Sequence, residues 1–454
     1  MSGRVAVVGG GVAGLATAFH LLRAGADPGV FERDPTHGGV VAPPVEVGDL
    51  LLEPGPDSLA ARKPWAVDLC RDLGLTLVPP GASGAFLWTD TGLVPYLPGT
   101  AFGIPGDVGD VLRWPGLSRR GRLRALADLV KRKRRSGTDE TLGGLLRRRL
   151  GDEATDRAIA PLLAGLHAGD VDRLSASATF PELVTWERTQ GSLIRGAQAA
   201  QRSARDAEPG PMFLRPPRGM RELVDALAES LGERIRTGAE VTSVADREVR
   251  LADGSESVDA VVLACDARAA GALLGTAAPA ELSEIRSVST AVVFLVYPAG
   301  TADGLPDGTG FVVPRGAAPM TAATFVSRKW PDERFADRAV VRCYVGGAGD
   351  EDVLDALDDE IVEACARHLS AVLDLPGPSA SRVHRLWRAM PQYELGHLDR
   401  VRAIREALPP GIFVVGSAFD GVGVSDLARA AEETAARVIA HAGVPRPGRK
   451  KEPA

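Results

Sequence analysis

Apolar and polar positions along the chain fall into two patterns. Short runs of consecutive apolar residues, RVAVV at 4–8, VDAVVLA at 258–264 and the apolar stretch Ile412 to Val415, read as strands buried on both faces. The segment Leu15 to Ala24 and the closing DLARAAEETAARVI carry apolar residues at helical spacing. Strand followed by helix predicts an α/β fold with a parallel sheet. Gly219-Met220 leads a further helix, and Thr237 to Val241 is expected to be another strand. Residues 276–384 differ: STAVVFLVYP and AVVRCYVGG suggest strands of an open mixed sheet, with Gly346-Gly347 as a turn. Residues 81–206 read as mostly helical. The division expected is 1–80, 207–275 and 385–454 as one discontinuous domain, 81–206 as a helical domain, and 276–384 as a third.

The clearest motif follows the first strand. Gly9-Gly10-Gly11-Val12-Ala13-Gly14 fits G-x-G-x-x-G, and a second strand, Val30-Phe31-Glu32, ends on an acid eighteen residues after Gly14. Gly9 makes the turn, Gly11 admits a diphosphate against backbone, and Gly14 lets helix and strand pack closely. The helix N-terminus offers free N–H groups and partial positive charge. Glu32 is placed to accept hydrogen bonds from a ribose hydroxyl. Strand, turn, helix, strand and acid in this order predict a Rossmann-like dinucleotide-binding unit.

Two further stretches favour a flavin dinucleotide over a nicotinamide one. A second Gly38-Gly39 pair comes soon after Glu32, Arg33 and Asp34. Near the other end, GIFVVGSAFDGVGVSDLARAAEETAARVI runs from a strand through Gly416 and Gly421-Val422-Gly423 into a long helix. A helix N-terminus at Gly423–Ser425 can point at the flavin pyrimidine edge, where negative charge develops on reduction. The alternative at this turn is an ordinary helix start capped by Ser425 or Asp426. No second dinucleotide fingerprint follows, which points to an oxidase reoxidised by oxygen.

Composition narrows this little. The chain has 454 residues, a net charge of −6, 45% hydrophobic and 25% charged residues, an ordinary globular balance for two or three domains. The acidic balance argues against nucleic acid as a partner. Cys70, Cys265, Cys343 and Cys365 are scattered, and the seven histidines lack metal spacing, so neither a disulfide frame nor a metal site is expected. With the first strand opening so near residue 1 and no apolar run of spanning length, a cytoplasmic location is expected. One stretch is strongly basic, RRGRLRALADLVKRKRR at 119–135, where Leu123, Leu126 and Val130 can share a face. It reads either as a solvated helix face or as a surface that touches anionic lipid or steers an anionic substrate.

Taken together, GGGVAGL at 9–15, GPDSLAARK at 55–63, LVPYLPGTAFGIPGDV at 93–108, AGDVDRLSASATFPEL at 168–183, GSLIRGA at 191–197, MPQYELGHLDRV at 390–401 and GSAFDGVGVSD at 416–426 resemble the protoporphyrinogen/coproporphyrinogen oxidase family. The likeness runs over nearly the whole length. Two departures stand out: Val424-Ser425 where the family usually has Ile-Pro, and Val40-Val41-Ala42 where an arginine often follows the early Gly-Gly.

The resemblance implies a monoamine-oxidase-like fold and non-covalent FAD, held by Gly9, Gly10, Gly11, Val12, Ala13, Gly14, Glu32, Arg33, Gly39, Gly55, Pro56, Asp57, Ser58, Val241, Trp387, Gly416, Ser417, Val422, Gly423 and Val424. It implies no catalytic side chain, because hydride passes to flavin N5 in three rounds, with molecular oxygen as acceptor and hydrogen peroxide released. Lys63, with Arg62 beside it, would face the propionates of a porphyrinogen. Coproporphyrinogen III is the expected substrate and protoporphyrinogen IX the alternative, with a haem-pathway enzyme such as a ferrochelatase as partner. Another amine-oxidase-like enzyme, or a silent flavin-binding scaffold, are the rival readings.

Overall fold

The computed structural model describes residues 3–134, 137–206, 210–245 and 247–443, with the side chain of residue 205 left out. Arg135, the end of the basic run, the boundary residues 207–209 and the tail 444–454 lie outside them.

The run RVAVV is the central strand of a five-stranded sheet. In order across the sheet stand Ile412–Val414, Ala260–Leu263, Arg4–Val8, Asp27–Phe31 and Ile235–Arg236. Every pair is parallel, with Val5 opposite Ala260 on one side and Pro28 on the other. The continuous apolar pattern has a direct cause, since both faces of the sheet are covered. Val5 and Val7 pack under the helices Val12–Arg23, Arg221–Leu231 and Val424–Ala442. Ala6 and Val8 face the helix Ala267–Leu274 and an antiparallel meander of Val241–Ala245, Glu248–Leu251 and Gly254–Ser257.

A seven-stranded sheet forms the second layer. Its order is Ala380–Pro391, Ser287–Val296, Val340–Gly346, Ala322–Phe325, Gly310–Val312, Phe86–Thr89 and Gly92–Pro95. One face packs on the helix Asp358–Leu373 through Val293, Cys343, Cys365 and Leu369. The other meets the hairpin Val45–Val47 and Leu50–Leu52 through Val292, Phe294 and Val340. The helical region has its own core around Trp114, Leu142, Leu146 and Leu163.

Some sequence expectations need correction. Of the expected strand Thr237 to Val241, Thr237 to Glu240 is a turn, with Gly238 at φ +66°, and only Val241 is in a strand, the first of the meander. The second strand spans Asp27–Phe31, so Glu32 follows it, and the first helix starts at Val12 rather than Leu15. The hairpin Phe86–Thr89 and Gly92–Pro95 closes the seven-stranded sheet, and Ala380–Pro391 runs through residue 385.

The basic run folds differently from an amphipathic stripe. Its helix spans Arg119–Leu126 and a 3-10 turn covers Ala127–Leu129, so Val130 falls beyond the helix, 84% exposed. Several of its cations hold backbone. Arg124 donates to the carbonyls of Arg147, Arg148 and Arg149, and Lys131 to that of Arg148, which neutralises the C-terminus of Leu142–Leu150. Asp128 is wholly buried with Arg149, and also accepts from Ser192 Oγ and Ile194 N. Removing one partner strands a buried charge. Asp128→Ala is expected to lose about 3–5 kcal/mol in urea unfolding, and a loss under about 1 kcal/mol would place the pair among surface bridges.

Candidate functional site

The three fingerprint glycines meet three different surroundings. Gly9 has φ +113°, and a Cβ there would lie 2.7 Å from the Ala264 carbonyl oxygen. A Cβ on Gly14 would fall 2.0 Å from the Gly9 carbonyl oxygen, so helix and turn touch through bare backbone. At Gly11 the nearest atom is Gly39 Cα at 4.0 Å, which leaves that side open. The helix Val12–Arg23 has no side-chain cap and no acid in its first turn. Its positive end therefore has no competing anion of its own, as a diphosphate requires.

Glu32 is buried against this turn. Its Oε2 accepts from Gly10 N at 2.7 Å and Oε1 from Asp34 N at 2.9 Å, which fixes the carboxylate at the rim of the open side. Arg33 is exposed and turns to Asp34. Val241 is buried at the start of the meander, close behind Ala239, whose N–H bonds the Glu32 carbonyl. The loop at Gly38-Gly39, with φ +118° and +58°, bonds back to the fingerprint through Gly38 N and the Gly10 carbonyl at 2.8 Å. Sequence reasoning missed the side chain that pins this loop. Arg221 donates to the carbonyls of His37 at 2.7 Å and Val41 at 3.3 Å, and its Nη2 meets His37 Nε2 at 3.1 Å. Burial, then the Arg221 charge, push the His37 pKa down.

The segment Gly55-Pro56-Asp57-Ser58 reaches toward the second sheet. Both Asp57 oxygens accept from Lys329 Nζ at 2.9 Å, and Ser58 Oγ donates to Oδ1 at 2.8 Å. Burial alone would raise the Asp57 pKa; Lys329 and Arg342 outweigh it and hold the carboxyl well below the usual carboxylate range. Asp57 was expected against the cofactor; its side-chain oxygens engage Lys329, a lysine nothing in the sequence singled out. Arg342 stacks on Tyr344 and donates to the Glu53 carbonyl at 3.1 Å, making a second tie between the two sheets.

The closing loop is clamped by one phenol. Tyr393 Oη accepts from Gly421 N at 2.8 Å and donates to the Ser417 carbonyl. Asp420, paired with Arg405, accepts from Gly416 N at 3.0 Å. The ring of Tyr393 stacks on His397 at 3.9 Å and lies 5.8 Å from His167. Burial pushes both histidines down to about 4, so each is neutral at pH 7. Past Val422, the helix Val424–Ala442 starts at Gly423 without a side-chain cap. Ser425 does not cap it: its Oγ is buried with no partner. Trp387 stands out of its sheet. Leu386 pairs with Thr290 and Met390 with Val288, so Trp387, Arg388 and Ala389 bulge opposite Ser289 and leave the indole 60% exposed.

The predicted substrate cations separate. Arg62 is exposed, whereas Lys63 is half-buried and gives its ammonium to both oxygens of Asp426 in the first turn of Val424–Ala442. The structure thus joins Lys63 to the closing helix and Glu32 to the glycine turn, and leaves Arg33 and Arg62 outside. Among the described residues no cluster of three His, Cys, Asp or Glu could hold a metal ion. Cys265 lies behind Gly9, and burial raises its thiol to about 12, far from a reactive thiolate.

Residues 12–439 match the family model described as flavin containing amine oxidoreductase. The coproporphyrinogen III oxidase of Bacillus subtilis (strain 168) is 33% identical, across 93% of this chain and 95% of that one. The coproporphyrinogen III oxidase of Staphylococcus aureus (strain NCTC 8325 / PS 47) is 30% identical, across 97% and 100%. A crystal structure from Exiguobacterium sp. 255-15 superposes with a TM-score of 0.86 at 31% identity, covering 96% of this chain and 99% of that one. Putrescine oxidase, at 19% identity and a TM-score of 0.71, shares the fold over 97% and 99%.

The open side of Gly11 gives a direct test. Gly11→Val places a branched side chain where a diphosphate must pass. The variant should purify with little or no flavin absorbance at 450 nm or so, and full flavin content would refute the placement.

Proposed function

The chain belongs to the flavin-containing amine oxidoreductases and, within them, to the protoporphyrinogen/coproporphyrinogen oxidase family, and on that premise we propose that it oxidises coproporphyrinogen III to coproporphyrin III with non-covalent FAD, consuming oxygen and releasing hydrogen peroxide. The product, an aromatic porphyrin, is what an iron-inserting enzyme takes, which makes a ferrochelatase the natural partner.

The residues fit the cofactor. Gly9, Gly11 and Gly14 with the uncapped helix Val12–Arg23 would take the diphosphate, and Glu32 the ribose of the adenosine half. The second uncapped N-terminus, at Gly423 and Val424, would face the ring's polar edge, and the phenol of Tyr393 holds the loop in front of it. When bound, the flavin supplies two-electron acceptance from carbon and return of those electrons to oxygen. No cysteine occurs in the loop 416–423, which supports non-covalent attachment.

The chain's own part is to hold the macrocycle. Lys63 Nζ carries the observation on which the substrate reading rests: a half-exposed ammonium fixed at the start of the helix Val424–Ala442, beside the loop that closes on the cofactor. The exposed indole of Trp387, thrown out by its bulge, offers an apolar face to a flat ring. Hydride leaves a meso carbon and the paired proton a pyrrole nitrogen, so binding and aim are what the side chains must provide. The expected three-part division serves this use: a discontinuous nucleotide unit, a mixed sheet and a helical region would share the substrate space.

No helix among the described residues is long and apolar enough to cross a membrane. Leu123, 63% exposed, shares the helix Arg119–Leu126 with the exposed Arg119 and Arg120, which supports peripheral contact with an anionic lipid surface.

Coproporphyrinogen III has four propionates, protoporphyrinogen IX two, and a charge-assisted contact is worth about 1.5–3 kcal/mol. In a parallel aerobic assay following porphyrin fluorescence and peroxide, kcat/KM should be at least about tenfold higher for coproporphyrinogen III. A higher value for protoporphyrinogen IX would overturn the substrate and leave the flavin oxidase standing.

A further inference from the structure

Lys63 and Asp426 lie 363 residues apart, yet the ammonium sits 2.8 Å from Oδ1 and 2.7 Å from Oδ2 of one carboxylate. Both ends are fixed by their surroundings. Lys63 N bonds the Ala60 carbonyl, and Pro64 begins the helix Pro64–Asp72 immediately after it. Asp426 N bonds the Gly423 carbonyl at 2.9 Å. The glycines of the turn make room for the carboxylate: a Cβ on Gly421 would lie 2.6 Å from Asp426 Cβ, and one on Gly423 3.1 Å from its Oδ2. The acid side chain is 19% exposed and the lysine 43%, so the ammonium keeps an open side while its partner is largely covered.

The neighbours leave this charge balance to the pair. His167, on which both charges act, is nine-tenths buried and neutral, with Nδ1 unpartnered. Arg429, further along the same helix, is committed to Glu433 at 2.9 Å and to the Trp65 ring.

An ammonium has three N–H donors and no acceptor. We propose that Asp426 is a positioning residue for substrate: it engages two of the Lys63 protons and so aims the remaining one at a substrate carboxylate. This rests on the porphyrinogen reading and extends it to a residue with the opposite charge to the one it helps. It also sets a sign. Without Lys63, Asp426 becomes an uncompensated anion at the edge where propionates must dock, so part of the harm of losing the lysine comes from the acid left behind.

The experiment compares Lys63→Met, Asp426→Asn and the double variant as flavin-loaded enzymes. It reads kcat and KM with coproporphyrinogen III, and the Kd of coproporphyrin III by fluorescence quenching. Lys63→Met should raise KM and Kd roughly ten- to hundredfold. Asp426→Asn should raise KM about three- to tenfold with the effect on KM rather than kcat. The double variant should bind about three- to tenfold better than Lys63→Met alone. If the amide fails to retain flavin, Asp426→Ser, which keeps a first-turn oxygen, takes its place in all arms. A double variant that binds no better than Lys63→Met overturns the role of Asp426 while the function stands. A wild-type enzyme that neither oxidises the porphyrinogen nor binds the porphyrin overturns the function, and this inference with it.

Discussion

The contact on which the rest of the molecule depends is the packing of its last helix on its first. Val424–Ala442 packs against Val12–Arg23 within one core that includes Ala13 and Ala16 of the first helix and Ala428, Ala431 and Ala435 of the last. Side chains this small let two helix backbones approach closely, and the core they share is mostly apolar. Because the strands Arg4–Val8 and Ile412–Val414 flank Ala260–Leu263 in the same sheet, the two uncapped helix starts are carried to one place. In the function proposed, one would take a diphosphate and the other would face the polar edge of a flavin ring. Neither end of the chain makes a site alone.

A second layer of constraint is ionic and joins segments that are distant in sequence. Lys329 fixes Asp57 across 272 residues, Arg342 reaches Glu53 across 289, and Lys63 meets Asp426 across 363. The first two tie the nucleotide-binding unit to the mixed sheet, and the third joins the start of the helix Pro64–Asp72 to that of Val424–Ala442. Their partial burial makes them directional, since a paired buried charge tolerates only a narrow geometry. The Lys329–Asp57 pair is the more enclosed and reads as a joint. The Lys63–Asp426 pair keeps one side in the open and reads as a holder for something that arrives.

Local physics made much of this legible in the sequence. RVAVV and VDAVVLA declare strands because both faces must be apolar, and the spacing of Gly9, Gly11 and Gly14 declares a turn because each needs a different absence of side chain. What stayed hidden needed knowledge of the third dimension. Thr237 to Val241 has strand composition, but Gly238 takes a positive φ and delays the strand to Val241. The hairpin Phe86–Thr89 and Gly92–Pro95 is short and amphipathic, and only its pairing with Gly310–Val312 gives it a sheet to join. The basic run looked like a surface stripe because a sequence cannot show that Arg124 and Lys131 spend their charge on carbonyls, or that Asp128 is buried among them. Arg221 and Lys329 gave no signal beyond their own charge.

The account's central claim is that electrons pass from a porphyrinogen bound beside Lys63 to a flavin held between the first and last helices. It is tested most directly by anaerobic titration of the flavin-loaded protein with coproporphyrinogen III, following flavin absorbance and porphyrin fluorescence together. Six electrons leave each macrocycle and two enter each flavin, so the absorbance should bleach with about three flavins reduced per porphyrin formed, and air should restore it. Flavin that stays oxidised under the porphyrinogen, in protein that dithionite bleaches fully, would contradict the claim.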